Sequence, residues 1–270
     1  MRNTPVNFVL SPRRSSLALA ALSAVLLASP IPRLAAEPSS TPEAKAAPAE
    51  SLDDGLVASW PGKDSPRDVV GHHASTLIGG VALVPPPGRG FRFNGHAGAI
   101  FVPDFADLRL GPSLTLSAWI NLTALGNDPG EIIFRGDDRP GLDPYALCVM
   151  PAYHGKTEVQ FLLDSGTSSQ TLFAPIPVGR TTLVTATLDD TTSMMRLYID
   201  GHIMAGTYTR VRPFHDLDVH QNPGIGIGNV QDLNAFSQPF HGIIGGIRFY
   251  NRALSEAEVA ALFTATKASD

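Results

Sequence analysis

Two short acidic stretches hold the side chains of this chain whose type and spacing best suit chemistry. Asp137, Asp138 and Asp143 fall within seven residues of a Gly/Pro-containing loop. The second stretch, Phe214-His215-Asp216-Leu217-Asp218, is followed by Asn222. Calcium takes about six to eight hard oxygen ligands from carboxylates, amides and backbone carbonyls, and loops of this kind supply them. Asp137, Asp138, Asp143, Asp216 and Asp218 are therefore candidate calcium ligands, and calcium is the one cofactor the residues suggest. An alternative stays open: Asp137, Asp138 and Asp143 pair with Arg135 and Arg139, or accept backbone hydrogen bonds in tight turns. Arg139, Tyr145, Tyr153 and Asn222 accompany the same stretches and are the candidate ligand contacts. The two tyrosines are included because a flat ring stacks on the apolar face of a sugar.

The remaining reactive types point to less. His72 and His73 are adjacent and would face opposite ways on a strand. His215 and His220 bracket Asp216 and Asp218 without a context that fixes tetrahedral geometry, so all four read as loop histidines. Trp119 lies in an apolar strand pattern and reads as packing; Trp60 fits packing or a ligand contact. Cys148, the only cysteine, sits in Ala146-Leu147-Cys148-Val149-Met150 and reads as an inert core thiol.

These residues must be carried by something folded, and the composition bounds it. The chain has 270 residues, 20 Lys+Arg against 25 Asp+Glu, and 43% hydrophobic content, enough for a sizeable core. The acidic balance excludes a nucleic-acid partner, which demands a basic surplus. One cysteine excludes an internal disulfide and a multi-cysteine zinc site. Residues 1–36 have the pattern of an export signal. Arg2, Arg13 and Arg14 precede an uncharged apolar run, Leu17 to Ala28, too short to span a bilayer, and Leu34-Ala35-Ala36 offers a small-residue cleavage site. An uncleaved N-terminal anchor is the alternative. Without those residues the net charge moves from −5 to −9, because they hold four arginines and no acid. Residues 37–51, rich in Pro, Ala, Ser and Glu, read as a disordered linker. A secreted, periplasmic or envelope protein is expected, without a stable membrane span after cleavage.

From residue 52 to 266 the pattern is that of one all-β domain, with 267–270 as a tail. Short alternating runs recur between Gly/Pro/Asp turns: 55–60, 75–84, 90–94, 99–102, 114–122, 131–135, 145–150, 158–163, 181–188, 195–200 and 242–250. Asp200-Gly201 between two such runs predicts a type I′ hairpin. Ser255-Glu256-Ala257-Glu258 is a capping box that opens one short C-terminal helix. The expected fold is a two-sheet antiparallel jelly-roll sandwich.

Five segments in order carry a resemblance over roughly residues 55–264. Gly242–Ser255 resembles the closing signature of laminin-G-like, concanavalin A-like lectin/glucanase domains. Phe91-Arg92-Phe93-Asn94-Gly95, Leu116-Ser117-Ala118-Trp119-Ile120 and Met195-Arg196-Leu197-Tyr198-Ile199-Asp200-Gly201 are similar to its other strand motifs, and Asp68–His73 to its Asp-containing loop. Residues 134–145 and 222–229 resemble an exported bacterial branch. The resemblance implies a jelly roll used mainly for binding, with calcium often held at a rim. Gly245-Gly246 departs from it, standing where members usually carry Asp-Glu. Glucanases of this architecture need paired strand-borne carboxyls. No Glu-x-Asp-x-Glu cluster or Gly-x-Ser-x-Gly elbow exists, and Glu131 and Glu158 stand alone. The function expected is a non-catalytic module that binds an extracellular glycan or protein through loops 135–145 and 213–222. A self-associating envelope protein is the alternative, with a glycoside hydrolase behind it; the oligomeric state is left open.

Overall fold

The structure is a computed structural model that describes residues 51–85, 89–137, 139, 143–153, 156–230 and 237–267. The expected signal, residues 1–36, and the linker up to residue 50 lie outside the described residues, as does the end of the tail.

Among the described residues, fifteen strands and one α-helix follow one another. They are β1 (Leu56–Trp60), β2 (Thr76–Ile78), β3 (Ala82–Leu83), β4 (Phe91–Asn94), β5 (Ala99–Pro103), β6 (Leu114–Leu122), β7 (Gly130–Gly136), β8 (Tyr145–Tyr153), β9 (Lys156–Asp164), β10 (Ser169–Pro175), β11 (Thr181–Asp189), β12 (Met194–Ile199), β13 (His202–Tyr208), β14 (Gly224–Ile227), β15 (His241–Tyr250) and α1 (Glu256–Lys267). All pairings are antiparallel. One sheet has eight strands in the order β13-β12-β11-β6-β15-β4-β3, with β1 also on β15; the other has seven, β10-β9-β8-β7-β14-β5-β2.

Alternation builds the layers. Leu114, Leu116, Ala118 and Ile120 of β6 and Val184, Ala186 and Leu188 of β11 face the core between the sheets. Tyr145, Leu147 and Val149 of β8 meet them from the seven-stranded sheet. The opposite face of β6 and β11 is not left to water. Leu183, Tyr198 and Tyr250 are buried with Val259 and Leu262 of α1, and Trp119 and Phe263 pack against them. The Trp119 indole N–H donates to Thr266 Oγ1 at 3.0 Å. α1 starts where the capping box places it: Ser255 N–H donates to Glu258 Oε2 (2.7 Å), and Glu258 N–H to Ser255 Oγ (3.3 Å). Asp200 and Gly201 both take positive φ, as the I′ turn requires.

Three elements differ from the sequence expectation. The run 75–84 is two strands, broken by Gly79 and Gly80 at positive φ. β10 and β14 were not expected as strands. Gly224-Ile225-Gly226-Ile227 alternates, but glycine is depleted in strands and masks the pattern. It is needed here because a Cβ on Gly226 would stand 2.1 Å from the Asn229 carbonyl oxygen. At Gly245, where the resemblance carries an acid, the Gly90 backbone approaches to 2.7 Å of a Cβ position.

Candidate functional site

The two acidic stretches converge on one rim of the sandwich, and a buried arginine joins them. Arg135, fully buried near the end of β7, donates to both carboxylate oxygens of Asp104 (2.9 and 3.1 Å). Its other N–H groups hold the carbonyls of Phe214 (3.2 Å) and His215 (2.8 Å). Phe214 N–H donates to Asp164 O at the end of β9, and Asp164 N–H to Pro144 O before β8. A guanidinium has five donors and no acceptor, so from β7 one side chain ties the segment after β5 to the loop before β14. Arg135 therefore pairs with Asp104 and not with the acids beside it in sequence.

The expected site residues fall into different environments. Asp137 accepts from Arg139 N–H (3.0 Å), twice from Arg139 Nε (2.9 and 3.0 Å), from Arg139 Nη2 and from Asp218 N–H (3.0 Å). A carboxylate offers about four lone-pair sites, so Asp137 has none to spare for a cation. Although burial works against the charge, the Arg139 hydrogen bonds hold its carboxyl below the usual value. The pairing alternative describes Asp137 and Arg139. Asp218 is half-buried, tied through its backbone to Asp137 and through Oδ1 to His220 N–H (2.9 Å). Asp216 and Asn222 are exposed, Asn222 at a φ of 48°. Asp143 is half-buried, and burial followed by the charges of Asp164 and Asp137 pushes its pKa up to about 7. Asp138 lies outside the described residues, as does the side chain of Tyr153, whose backbone closes the β8–β9 hairpin opposite Lys156.

Tyr145 is a correction. It is fully buried between the sheets, with its hydroxyl donating to Leu108 O at 2.7 Å, so it offers no face to a ligand. Its position opposite Arg135 in the β7–β8 register turns it inward. Of the expected calcium ligands, Asp137 is already engaged. Among the described residues no three His, Cys, Asp or Glu side chains come together in a way that holds a metal, and Asp137 is saturated.

A second polar cluster was missed from sequence. His73, expected as a loop histidine, is buried with Nδ1 2.6 Å from Asp68 Oδ2 and Nε2 3.0 Å from both oxygens of Asp107. Asp68 also accepts N–H groups from Ser59, Val70, Gly71 and His73. The Trp60 ring stacks at 6.5 Å and Phe105 lies at 4.8 Å, which settles Trp60 as packing. Nε2 faces a carboxylate and not a hydroxyl, so the arrangement clamps loops and activates no nucleophile. Its signal was the Asp four residues before a His-His pair; the partner, 34 residues further on, had none.

On the outer face of the seven-stranded sheet, Glu131 of β7 sits opposite Cys148 of β8, and Glu158 of β9 opposite Met150. Glu131 is 4% exposed with Oε2 lacking a hydrogen-bond partner, and burial followed by the charge of Asp143 pushes its carboxyl well up. Burial also pushes up the Cys148 thiol, as expected of an inert core cysteine.

Two antiparallel sheets packed face to face, with one C-terminal helix, define a jelly-roll sandwich. A family model described as the concanavalin A-like lectin/glucanases superfamily, of laminin-G type, matches residues 94–260, and the chain belongs to that family. Solved structures agree on the fold. The binding domain of botulinum neurotoxin DC in complex with SialylT is 16% identical at a TM-score of 0.61, covering 80% of this chain and 52% of that one. The same domain in complex with rat synaptotagmin II gives 16%, 0.59, 80% and 52%. Domain 4 of AbnA, a GH43 extracellular arabinanase from Geobacillus stearothermophilus, in complex with arabinotriose, gives 20%, 0.56, 77% and 97%. The chain thus spans about half the length of the neurotoxin chains it matches, and nearly all of the arabinanase domain. No curated protein matches it in sequence. Among the described residues no helix is long and apolar enough to cross a membrane.

Proposed function

We propose that this protein is an exported, non-catalytic binding module that recognises an extracellular glycan or protein through its acidic rim. The observation that carries the reading is the Arg135 junction, which fixes two sequence-distant loops side by side and leaves Asp143, Asp216 and Asn222 around them. Sandwiches of the same fold in complex with SialylT, synaptotagmin II and arabinotriose support a binding role. The placement of the strand-borne glutamates weighs against a hydrolytic role. Glu131 and Glu158 are the strand-borne glutamates, and they stand on β7 and β9 with β8 between them, where cleavage needs two carboxyls flanking one bond.

Glycan-array and pull-down screens of the whole protein, each run with calcium and with EDTA, test the reading. A ligand whose binding falls at least about tenfold in Asp216→Asn with Asn222→Ala supports it, that loss being about 1.4 kcal/mol. Empty screens in both conditions, or a ligand indifferent to those changes, overturn it. Binding abolished by EDTA would make the recognition calcium-dependent; binding unchanged by EDTA would make it calcium-independent.

One observation favours self-association as a second reading. β13 is an edge strand without Pro or Lys, and its Ile203, Met204 and Tyr208 are exposed. Unprotected edges pair with other chains. Ordered oligomers at micromolar protein, dispersed by Met204→Lys, would select this reading.

A further inference from the structure

α1 covers the outer face of the eight-stranded sheet over β6, β11 and β12, and stops short of β4 and β3. On that uncovered side lies a hollow of about 280 Å³. Its polar walls come from three places in the sequence: Arg92 and Asn94 on β4, His241 at the start of β15, and Thr123 just after β6. The register brings them together, with His241 opposite Asn94 and Arg92 opposite both Ile243 and Ala82. Thr123 N–H donates to His241 O at 2.9 Å, which pins the fourth group.

The chemistry of the hollow is one-sided. None of its lining residues is acidic, in a chain with a net charge of −5. Arg92 is exposed, and its guanidinium enters no hydrogen bond or ion pair with the described residues. The Asn94 carbonyl oxygen is engaged by the N–H groups of His96 (3.0 Å) and Ala97 (3.3 Å), so its amide nitrogen is the part left to donate. An imidazole offers at least one N–H in either protonation state, and a threonine hydroxyl donates or accepts. His241 lies close against Gly95, where a Cβ would stand 2.8 Å from the His241 Cβ and Cγ. Ala82 supplies apolar wall, beside the Gly80 and Gly242 backbone.

We propose that this hollow is a second binding site, separate from the acidic rim, that takes an organic carboxylate borne on a hydroxylated ring the size of one sugar. The guanidinium suits a carboxylate because it presents two parallel N–H donors. Asn94, Thr123 and His241 are spaced around it as hydroxyl partners. The volume is at the small end of ligand pockets, about 300 Å³, and well beyond what a bare inorganic anion fills. The site stands or falls without the rim reading, since it shares no residue with it.

The test is a ¹H–¹⁵N titration of the whole protein with D-glucuronate, with D-glucose and sodium sulfate as separate probes. Glucuronate should shift the backbone amides of residues 92–95, 123 and 241–242, and glucose at the same concentration should not. Arg92→Met should weaken binding at least about tenfold, as loss of a charge-assisted hydrogen bond does. It should also melt with wild type, because the side chain is exposed. Ala82→Glu, which keeps Arg92 but adds a like charge to the ligand, should abolish binding, and Asp216→Asn at the rim should leave it unchanged. Absent shifts at these amides, equal shifts with glucose, or an unaffected Arg92→Met would overturn the proposal. Equal binding of sulfate would reduce the hollow to a bare-anion site and overturn the ring-sized ligand.

Discussion

His73 holds its place through two carboxylates, and their unequal exposure decides what each contributes. Asp68 has no exposed side-chain surface, whereas Asp107 is 54% exposed and screened by solvent. Burial pushes the Asp68 carboxyl up, but the N–H groups of Ser59 and Val70 and the His73 ring outweigh it, and the pKa lies below the usual value. A carboxyl lowered on folding stabilises the protein in full above its unfolded pKa, near 3.8, and loses that as pH falls through its folded value. His73→Ala should therefore cost roughly 3 kcal/mol at pH 7, as breaking a buried pair does. The cost should shrink by pH 3, where Asp68 of the variant protonates readily. Urea denaturation at the two pH values checks this, and an equal cost at both would refute it. Glu131 has the opposite sign. Its raised pKa means the folded state keeps a proton that the unfolded chain releases, so stability falls as pH rises above the ordinary glutamate value. Glu131→Gln keeps the shape without the titration. It should gain about 1 kcal/mol or more on wild type between pH 5 and pH 8, a unit of pKa shift being ~1.4 kcal/mol; melting curves at those pH values that stay parallel would count against it. Neither burial was legible in sequence. Asp107 reaches His73 across 34 residues, and Glu131 is capped by Gln238, which accepts its N–H.

At the scale of elements, legibility followed the strength of local signals. β6 and β11 alternate so clearly that their inner faces could be read residue by residue, and the Asp200-Gly201 turn and Ser255 cap were fixed by local hydrogen-bonding needs. β10 and β14 escaped because what makes them strands is their neighbours. β14 lies between β7 and β5, and its glycines answer to backbone that passes close by. Gly226→Ala should consequently cost more than about 2 kcal/mol, in the range of overpacked cores. Thermal melts would show it as a marked drop in Tm; a drop within error would mean that the turn at Asn229 yields easily. The same contrast holds at the rim. That loops 135–145 and 213–222 carry the acids was plain in the sequence. Which of those side chains face solvent depended on the β7–β8 register, which placed Arg135 and Tyr145 inside.

For the whole molecule, stability rests on the two-sheet core and the helix-covered flank, since the single cysteine is free and buried. The first strand of the sandwich lies antiparallel beside the last, with Leu56 opposite Tyr250. Arg252 and Asn251 clasp the entry, donating to the carbonyls of Asp54, Ser51 and Gly55. Chain therefore enters β1 and leaves β15 at the same end of one hydrogen-bonded ladder. Mechanical load has a direction on such a ladder. Tension applied between residues 51 and 251 opens the bonds one after another like a zip, whereas tension between residues 51 and 241 slides β1 along β15 and loads them together. In an optical trap the first pair of handles should release β1 at a clearly lower force than the second; equal forces would contradict this geometry. A module anchored at one end and gripping a ligand elsewhere is spared that weak axis, while one strung between two anchors would peel open along it.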